Sequence, residues 1–211
     1  MSEKIQAFIV NRNLISTLKN TVDFLLKEPR VEIIIFDQQS TYPETLTYYK
    51  NCGLKVVYND KNGGPHSTWG LPFNDTYFIV ADSDCDYSGI PDDWLDKMLQ
   101  VLRETDTFKV GFSISLDNLP ITEMYKKIMD IELKYWTKKN EYGWIADIDT
   151  TFALYRPHSP FSYGALRLDK PYCIKHVLWY LTKNNITDEW RYYINNSTGI
   201  STWGSTLKSI L

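Results

Sequence analysis

The sequence predicts an α/β fold built on a mostly parallel sheet. Through the first half, short apolar runs of strand length alternate with segments of helical period, the pattern of successive strand–helix–strand units. The run at 32–36, Glu-Ile-Ile-Ile-Phe, is β-branched without polar alternation, as parallel strands covered on both faces are. The length of 211 residues fits one domain, which can bury about 70% of its unfolded surface.

Taken in order, residues 5–10 form a first short strand. Leu14, Leu18, Val22 and Leu25 then recur at helical spacing, and Pro29 ends that element. Residues 32–36 are the second strand. Ser40 or Thr41 is placed to cap a helix that has Pro43 in its first turn and Gly53 as its stop. Residues 54–58 make a third strand, Asn62-Gly63-Gly64-Pro65 a loop, and 76–81 a fourth strand. A helix from about Asp92 sets Trp94, Leu95, Met98, Leu99 and Leu102 on one face. Beyond it, 109–115 reads as a strand, 124–136 as a helix with Ile128, Ile131 and Tyr135 inward, and 149–155 as a strand. From Arg156 onward, Pro157, Pro160, Gly164 and Pro171 give a loop-rich pattern.

Composition excludes several classes. The formal charge of −3 leaves no basic footprint of the kind that nucleic acid or an anionic membrane attracts. Aromatic residues make up 15% of the chain; most are expected in the core and a few as stacking platforms for sugar. Cys52, Cys85 and Cys173 are scattered and odd in number, which fits neither a disulfide framework nor a Cys-based zinc site and suits a reducing compartment. Met1-Ser2-Glu3-Lys4 leads into only six mostly apolar residues, too few for a signal peptide or a membrane span. A cytoplasmic location is therefore expected. The glycosylation-type triplets Asn74-Asp75-Thr76 and Asn185-Ile186-Thr187 then read as chance matches.

In such a sheet the ligand crevice lies beyond the carboxyl ends of the strands. Four polar segments follow the strands: Asn11-Arg12-Asn13, Asp37-Gln38-Gln39-Ser40, 59–64 and Asp82-Ser83-Asp84. Asp82 and Asp84 stand just after a buried run and supply hard oxygen ligands for Mg²⁺ or Mn²⁺, which would bridge the phosphates of a bound nucleotide. Asp-x-Asp is common, and its place after a buried strand is what gives it weight. Residues 82–93 imitate a calcium-binding EF-hand loop, but Tyr87 stands where that loop needs Gly, and Pro91 interrupts it. A haloacid dehalogenase-type phosphatase also has Asp-x-Asp after a strand, normally the first, with Thr or Val where this chain has Asp86. A solvated acidic turn capping the next helix is the plain alternative.

Further candidates surround this pair. Asn11 can read a base edge and Arg12 can meet phosphate, while Asp37 can accept from a uracil imide or a ribose hydroxyl, or simply close a turn. Asn62-Gly63-Gly64 lets backbone approach a ligand closely. Asp147 and Asp149 form a second acidic pair, of which one is expected to face inward as a general base or a sugar-orienting group. Bonding to the hydroxyls of Thr150 and Thr151 is the structural alternative. Among His66, His158 and His176, the last is the candidate for a further metal ligand or diphosphate contact. Arg156, Arg167 and Lys175 can pair with phosphate oxygens or with surface carboxylates.

With those residues in place, the chain resembles the GT-A type nucleotide-sugar glycosyltransferases, in particular the family 2-like group. The likeness rests on Asn11-Arg12 after a strand, Ile35-Phe36-Asp37-x-x-Ser40, Asn62-x-Gly64 and Asp82-x-Asp84, and covers the N-terminal half best. Residues 147–156 and 176–180 resemble a narrower subgroup, the domains that build chlorella-virus capsid glycans. The resemblance implies a Rossmann-like GT-A fold with a mixed sheet, residues 1–105 forming the nucleotide-binding half and 106–211 the acceptor half of a single domain. It implies a UDP-sugar donor of glucose or rhamnose type, a Mn²⁺ or Mg²⁺ ion with Asp84 as principal ligand, and a glycan or glycoprotein acceptor. Asn11, Arg12, Asp37 and Asp82 would surround the uridine, with Asn62, Gly63, Ser83, Arg156 and Arg167 completing the nucleotide site. A host-cytoplasmic location and further domains of a longer chain follow from the viral likeness. The Glu-Asp pair that commonly supplies the catalytic base has no clear counterpart, so inverting and retaining outcomes both stay open. Two other classes compete. A sugar nucleotidyltransferase would share the architecture, although Asn11-Arg12-Asn13-Leu14 is not its Gly-rich basic loop. A non-catalytic carbohydrate-binding domain would leave the strand-end carboxylates unexplained.

Overall fold

The strands assemble into one mixed sheet. They are β1 (Ile5–Asn11), β2 (Val31–Asp37), β3 (Lys55–Tyr58), β4 (Phe78–Asp82), β5 (Cys85–Asp86), β6 (Lys109–Ile114), β7 (Trp144–Ile145), β8 (Phe152–Tyr155) and β9 (Leu166–His176). Their order is β3-β2-β1-β4-β8-β6-β9-β5, with β7 paired to β9 off that path. Pairings among β1, β2, β3 and β4 are parallel, and β8 enters antiparallel between β4 and β6. The computed structural model describes residues 4–64, 67–68, 76–159, 164–198 and 203–211. Met1 to Glu3, Pro65, His66, Asn74, Asp75 and Pro160 lie outside the described residues, along with the readings that used them.

The continuous apolar runs are explained by burial on both faces. Ala7 and Ile9 of β1, Ile33 and Ile35 of β2, and Ile79 and Ala81 of β4 join one core cluster; Phe8, Ile34, Phe78 and Val80 join another. Helices α1 (Ser16–Leu26) and α3 (Trp94–Glu104) cover the first face through Leu18, Val22, Leu25, Leu95, Met98, Val101 and Leu102. Each such side chain contributes about 1.5–3 kcal/mol by leaving water. Much of the aromatic content sits here: the Phe24 and Tyr87 rings stack at 4.3 Å, with Trp94, Phe112 and Phe152 edge-on or tilted around them. Gly111 allows β6 and β8 to close, because a Cβ there would stand 2.1 Å from the Phe152 carbonyl oxygen.

Several local expectations are corrected. Neither Ser40 nor Thr41 caps α2 (Pro43–Asn51) from its own side chain. Asn13 Oδ1 instead accepts from the Thr41 and Tyr42 amides, at 2.6 and 3.0 Å. Gly53 does end that helix region, in a left-handed conformation at φ 69°. Leu14 precedes α1 and belongs to a third cluster with Ile128, Leu178, Trp179, Trp190 and Ile194. The predicted helix at 124–136 is α4 (Tyr125–Glu132) followed by a 3₁₀ turn (Leu133–Trp136). Ile128 is buried as expected, Ile131 and Tyr135 only partly, and Glu132 turns inward instead.

The largest departure is in the last third, which carries the eleven-residue strand β9 and helix α5 (Asp188–Asn195) where loops were expected. In β9, Leu168 pairs with Phe112 and Cys173 with Ser113, so Asp169-Lys170-Pro171-Tyr172 bulges out of register and breaks the periodicity. Helix α5 reaches back to the start of the chain: Glu189 is buried and accepts from the Ile15 amide and, at 2.9 Å, from the Ser16 amide. That supplies the first turn of α1 with a carboxylate its own sequence lacks. Among the described residues, no helix is long and apolar enough to cross a membrane.

Candidate active site

Parallel pairing brings the ends of β1, β2 and β4 to one edge, where Asn11 lies beside Asp37 and Val10 beside Asp82. A cleft of about 190 Å³ opens there, with Asn11, Arg12, Asp82, Ser83, Asp84, Asp149 and His176 on its walls. The turn after β4 is anchored on the neighbouring strand: the Ser83 amide donates to the Val10 carbonyl at 3.2 Å, and the Ser83 hydroxyl to Asn11 Oδ1 at 2.6 Å.

His176 reaches this turn through β-pairing that its sequence position conceals. It ends β9, and β9 pairs antiparallel with β5, setting His176 opposite Cys85. The Val177 amide donates to the Asp84 carbonyl at 2.8 Å, and His176 Nε2 stands 3.6 Å from Asp84 Oδ2. The imidazole stacks on Trp179 at 5.0 Å with a 10° interplanar angle. Asp84 Oδ1 is buried without a hydrogen-bond partner among the described residues, and so is His176 Nδ1. A carboxylate with one oxygen 3.6 Å from an imidazole nitrogen and the other left without a partner is a donor set that fits a divalent cation. Asp82 lines the same cleft, and among the described residues no three His, Cys, Asp or Glu side chains gather as a metal-binding group.

Electrostatics set Asp82 and Asp149 apart. Burial pushes the Asp82 carboxyl well above the usual range, and the charges of Asp149 and Asp84 push it the same way, against a hydrogen bond from Thr150. Asp149 is reached by solvent inside the cleft but crowded by protein elsewhere. Burial works to raise it, yet the Thr151 hydroxyl (2.6 Å) and amide (3.1 Å), with His176 and Arg167 nearby, hold it below the usual carboxylate range. Asp149 of the second acidic pair lines the cleft and Asp147 does not, although both are exposed. Strand alternation cannot separate residues two apart, which share a face. What divides them is that this stretch is irregular and β8 begins only at Phe152.

Several predicted nucleotide contacts sit elsewhere. Asp37 is 3% exposed and faces inward: its carboxylate accepts from the Ser40 amide at 3.1 Å and the Tyr49 hydroxyl at 2.9 Å. The Asn11 amide nitrogen likewise donates to Tyr49 (2.7 Å) and the Leu14 carbonyl (2.9 Å), so Asn11 borders the cleft while bracing its floor. Arg156 binds the carbonyls of Leu102, Thr105 (2.5 Å) and Thr107 (2.8 Å) behind α3, away from the cleft. Arg167 is buried against Glu132, and Lys175 stands 5.8 Å from the Tyr180 ring; neither lines the cleft. Gly63 gives its amide to Gln38 Oε1 at 3.0 Å, leaving Asn62 and Gly64 as the loop residues on the wall.

The opposite wall is one the sequence did not disclose. Tyr193, Ser197, Thr198 and Trp203 line the cleft together with Gln38, Thr150 and Leu178. The chain after α5 is tied to the strand-end loops: Arg12 donates to the Asn196 carbonyl at 2.8 Å, Asn62 to the Thr198 hydroxyl at 2.9 Å, and Tyr192 to the Thr41 hydroxyl at 3.0 Å. Gln38 carried a signal in its strand-end segment, and Thr150 and Leu178 lie within the segments 147–156 and 176–180 that carry the narrower resemblance; the residues from Tyr193 onward carried none.

No protein-family model and no curated protein matches the chain. Among solved structures, it is similar to 4-diphosphocytidyl-2C-methyl-D-erythritol synthase from Anaerococcus prevotii, at 12% identity and TM-score 0.39, over 66% of this chain and 79% of that one. A second structure with that enzyme name aligns over 90% of this chain and 83% of its own, at 10% identity and TM-score 0.41. The apo-form glycosyltransferase GlyE of Streptococcus pneumoniae aligns over 65% of this chain and 40% of its own, at 13% identity and TM-score 0.32.

Proposed function

We propose that the cleft is the donor site of a metal-dependent glycosyltransferase that moves a hexose or deoxyhexose from a UDP-sugar to a glycan acceptor. The observation that carries this reading is the pair Asp84 and His176, 3.6 Å apart at a strand-end cleft, with a buried carboxylate oxygen left without a partner. These two side chains would hold Mn²⁺ or Mg²⁺, with diphosphate oxygens and water completing the shell. When bound, such an ion neutralises the charge that gathers on a departing diphosphate.

The remaining roles follow from position. Arg12, Asn62, the Gly64 backbone and Ser83 border the side on which the nucleoside would lie. Asp82 lines the wall beside Asp84 and His176, and Asn11 and Asp37 hold the floor through Tyr49. Asp149 faces the cleft as a carboxylate whose acidity is increased by Thr151, which makes it a better acceptor for a sugar or acceptor hydroxyl than a proton store. The narrower resemblance adds a capsid-type glycan as acceptor. Incubation with UDP-glucose or UDP-rhamnose and an oligosaccharide acceptor, with Mn²⁺ or EDTA, tests the reading. Metal-dependent release of UDP is expected. Pyrophosphate released from UTP and a sugar 1-phosphate, with no turnover of UDP-sugars, would replace this reading with nucleotidyl transfer.

A further inference from the structure

Three successive carbonyls, of Asp147, Ile148 and Asp149, are each held from beneath by a buried cation. Lys109 opens β6 and is fully buried; its Nζ donates to the Ile148 carbonyl, and to the Asp149 carbonyl and the Tyr155 hydroxyl at 3.4 Å each. Arg167, 5% exposed, donates from Nε to the Asp147 carbonyl at 2.8 Å while its terminal nitrogen pairs with Glu132. The Arg167 guanidinium also lies 4.4 Å from the Tyr135 ring centre. Burying an ammonium costs several kcal/mol unless its donors are used. A strand needs no cation at this position for its own sake, and both cations are aimed at the backbone of the one segment that delivers Asp149 and Thr150 to the cleft. We propose that Lys109 and Arg167 are positioning residues that fix the 147–149 backbone and thereby set where the Asp149 carboxylate stands against the substrate hydroxyl. This rests on the reading of Asp149 as the carboxylate facing that hydroxyl.

The ammonium form of Lys109 is part of the device. Burial brings Lys109 down to about 8, with Arg167 acting the same way and Asp149 and Asp147 opposing it. Those three and the Tyr155 phenol face it from β9, the 146–151 segment and β8. Below that pH it holds three protons to donate; above it, a neutral amine has two.

The test compares Lys109→Met and Lys109→Arg with the wild-type chain. In Lys109→Met, kcat is expected to fall by about 10²-fold, the cost of a misplaced reacting group. UDP affinity should be unchanged, and amide exchange across 149–155 should quicken. In Lys109→Arg most of kcat should return. The loss of wild-type kcat as pH rises through about 8 should disappear there, because a guanidinium stays charged. Wild-type kcat together with unchanged exchange in Lys109→Met would overturn the proposal. If Lys109→Met does not fold, an unaltered high-pH limb in Lys109→Arg would overturn it. A wild-type chain that binds no UDP would sink the donor reading, while the exchange measurement would still decide whether Lys109 holds this backbone.

Discussion

Replacing Asp84 with alanine is expected to abolish metal-dependent turnover of UDP-sugar, lowering kcat by on the order of 10²–10³-fold or more, the range seen when a stabiliser of developing charge is removed. The fold should survive. Asp84 Oδ1 has no hydrogen-bond partner among the described residues, and the Asp84 charge burdens Asp82, whose carboxyl it pushes up. Removing one carboxylate from a crowded pair relieves repulsion, so thermal unfolding should occur at the wild-type temperature or above it. Circular dichroism melting and a UDP-release assay on the same preparation separate the two effects. Turnover retained in Asp84→Ala would remove Asp84 from the metal site.

The largest effect on stability is expected at Arg167. Its pair with Glu132 is buried, with side-chain exposures of 6% and 2%. Arg167→Met leaves Glu132 without its counter-ion, which costs about 3–5 kcal/mol and, for a domain of this size, roughly 6–20 °C in Tm. Burial raises the Glu132 carboxyl while the charge and hydrogen bond of Arg167 oppose that rise. Without Arg167 the carboxyl rises further above its unfolded value. The variant should therefore be least impaired at low pH, where Glu132 is protonated in both states, and lose stability as pH climbs through the folded value. Adding Glu132→Gln should restore much of the loss. Equal melting temperatures for wild type and Arg167→Met, by scanning calorimetry, would show that the pair contributes nothing.

Both residues illustrate what could be read in advance. Asp82 and Asp84 were legible because a buried apolar strand must end somewhere, and polar side chains at that end face a predictable edge. Strands β1, β2 and β4 were legible for the same reason: covered on both faces, they have little freedom to alternate, whereas the edge strand β3 leaves Lys55 and Tyr58 exposed. Arg167 was misplaced because a guanidinium looks the same in sequence whether it meets phosphate or a buried glutamate, and Glu132 gave no hint of turning inward from α4. Arg156 failed likewise, its partners being carbonyls, which any sequence supplies. Strand β9 was hidden by the four residues that bulge from it, and its loss concealed why His176 lies beside Asp84. The wall formed by Tyr193, Thr198 and Trp203 depends on contacts across more than 130 positions, Asn62 to Thr198 among them, that no local pattern encodes.

In the proposed site, Asp84 and His176 hold a cation that in turn holds the diphosphate of a UDP-sugar. Calorimetric titration of UDP into the protein with Mn²⁺, repeated in EDTA, tests it most directly. Binding is expected in the presence of the metal and should weaken sharply or vanish on chelation. Absence of UDP binding in both conditions, or binding indifferent to EDTA, would contradict it.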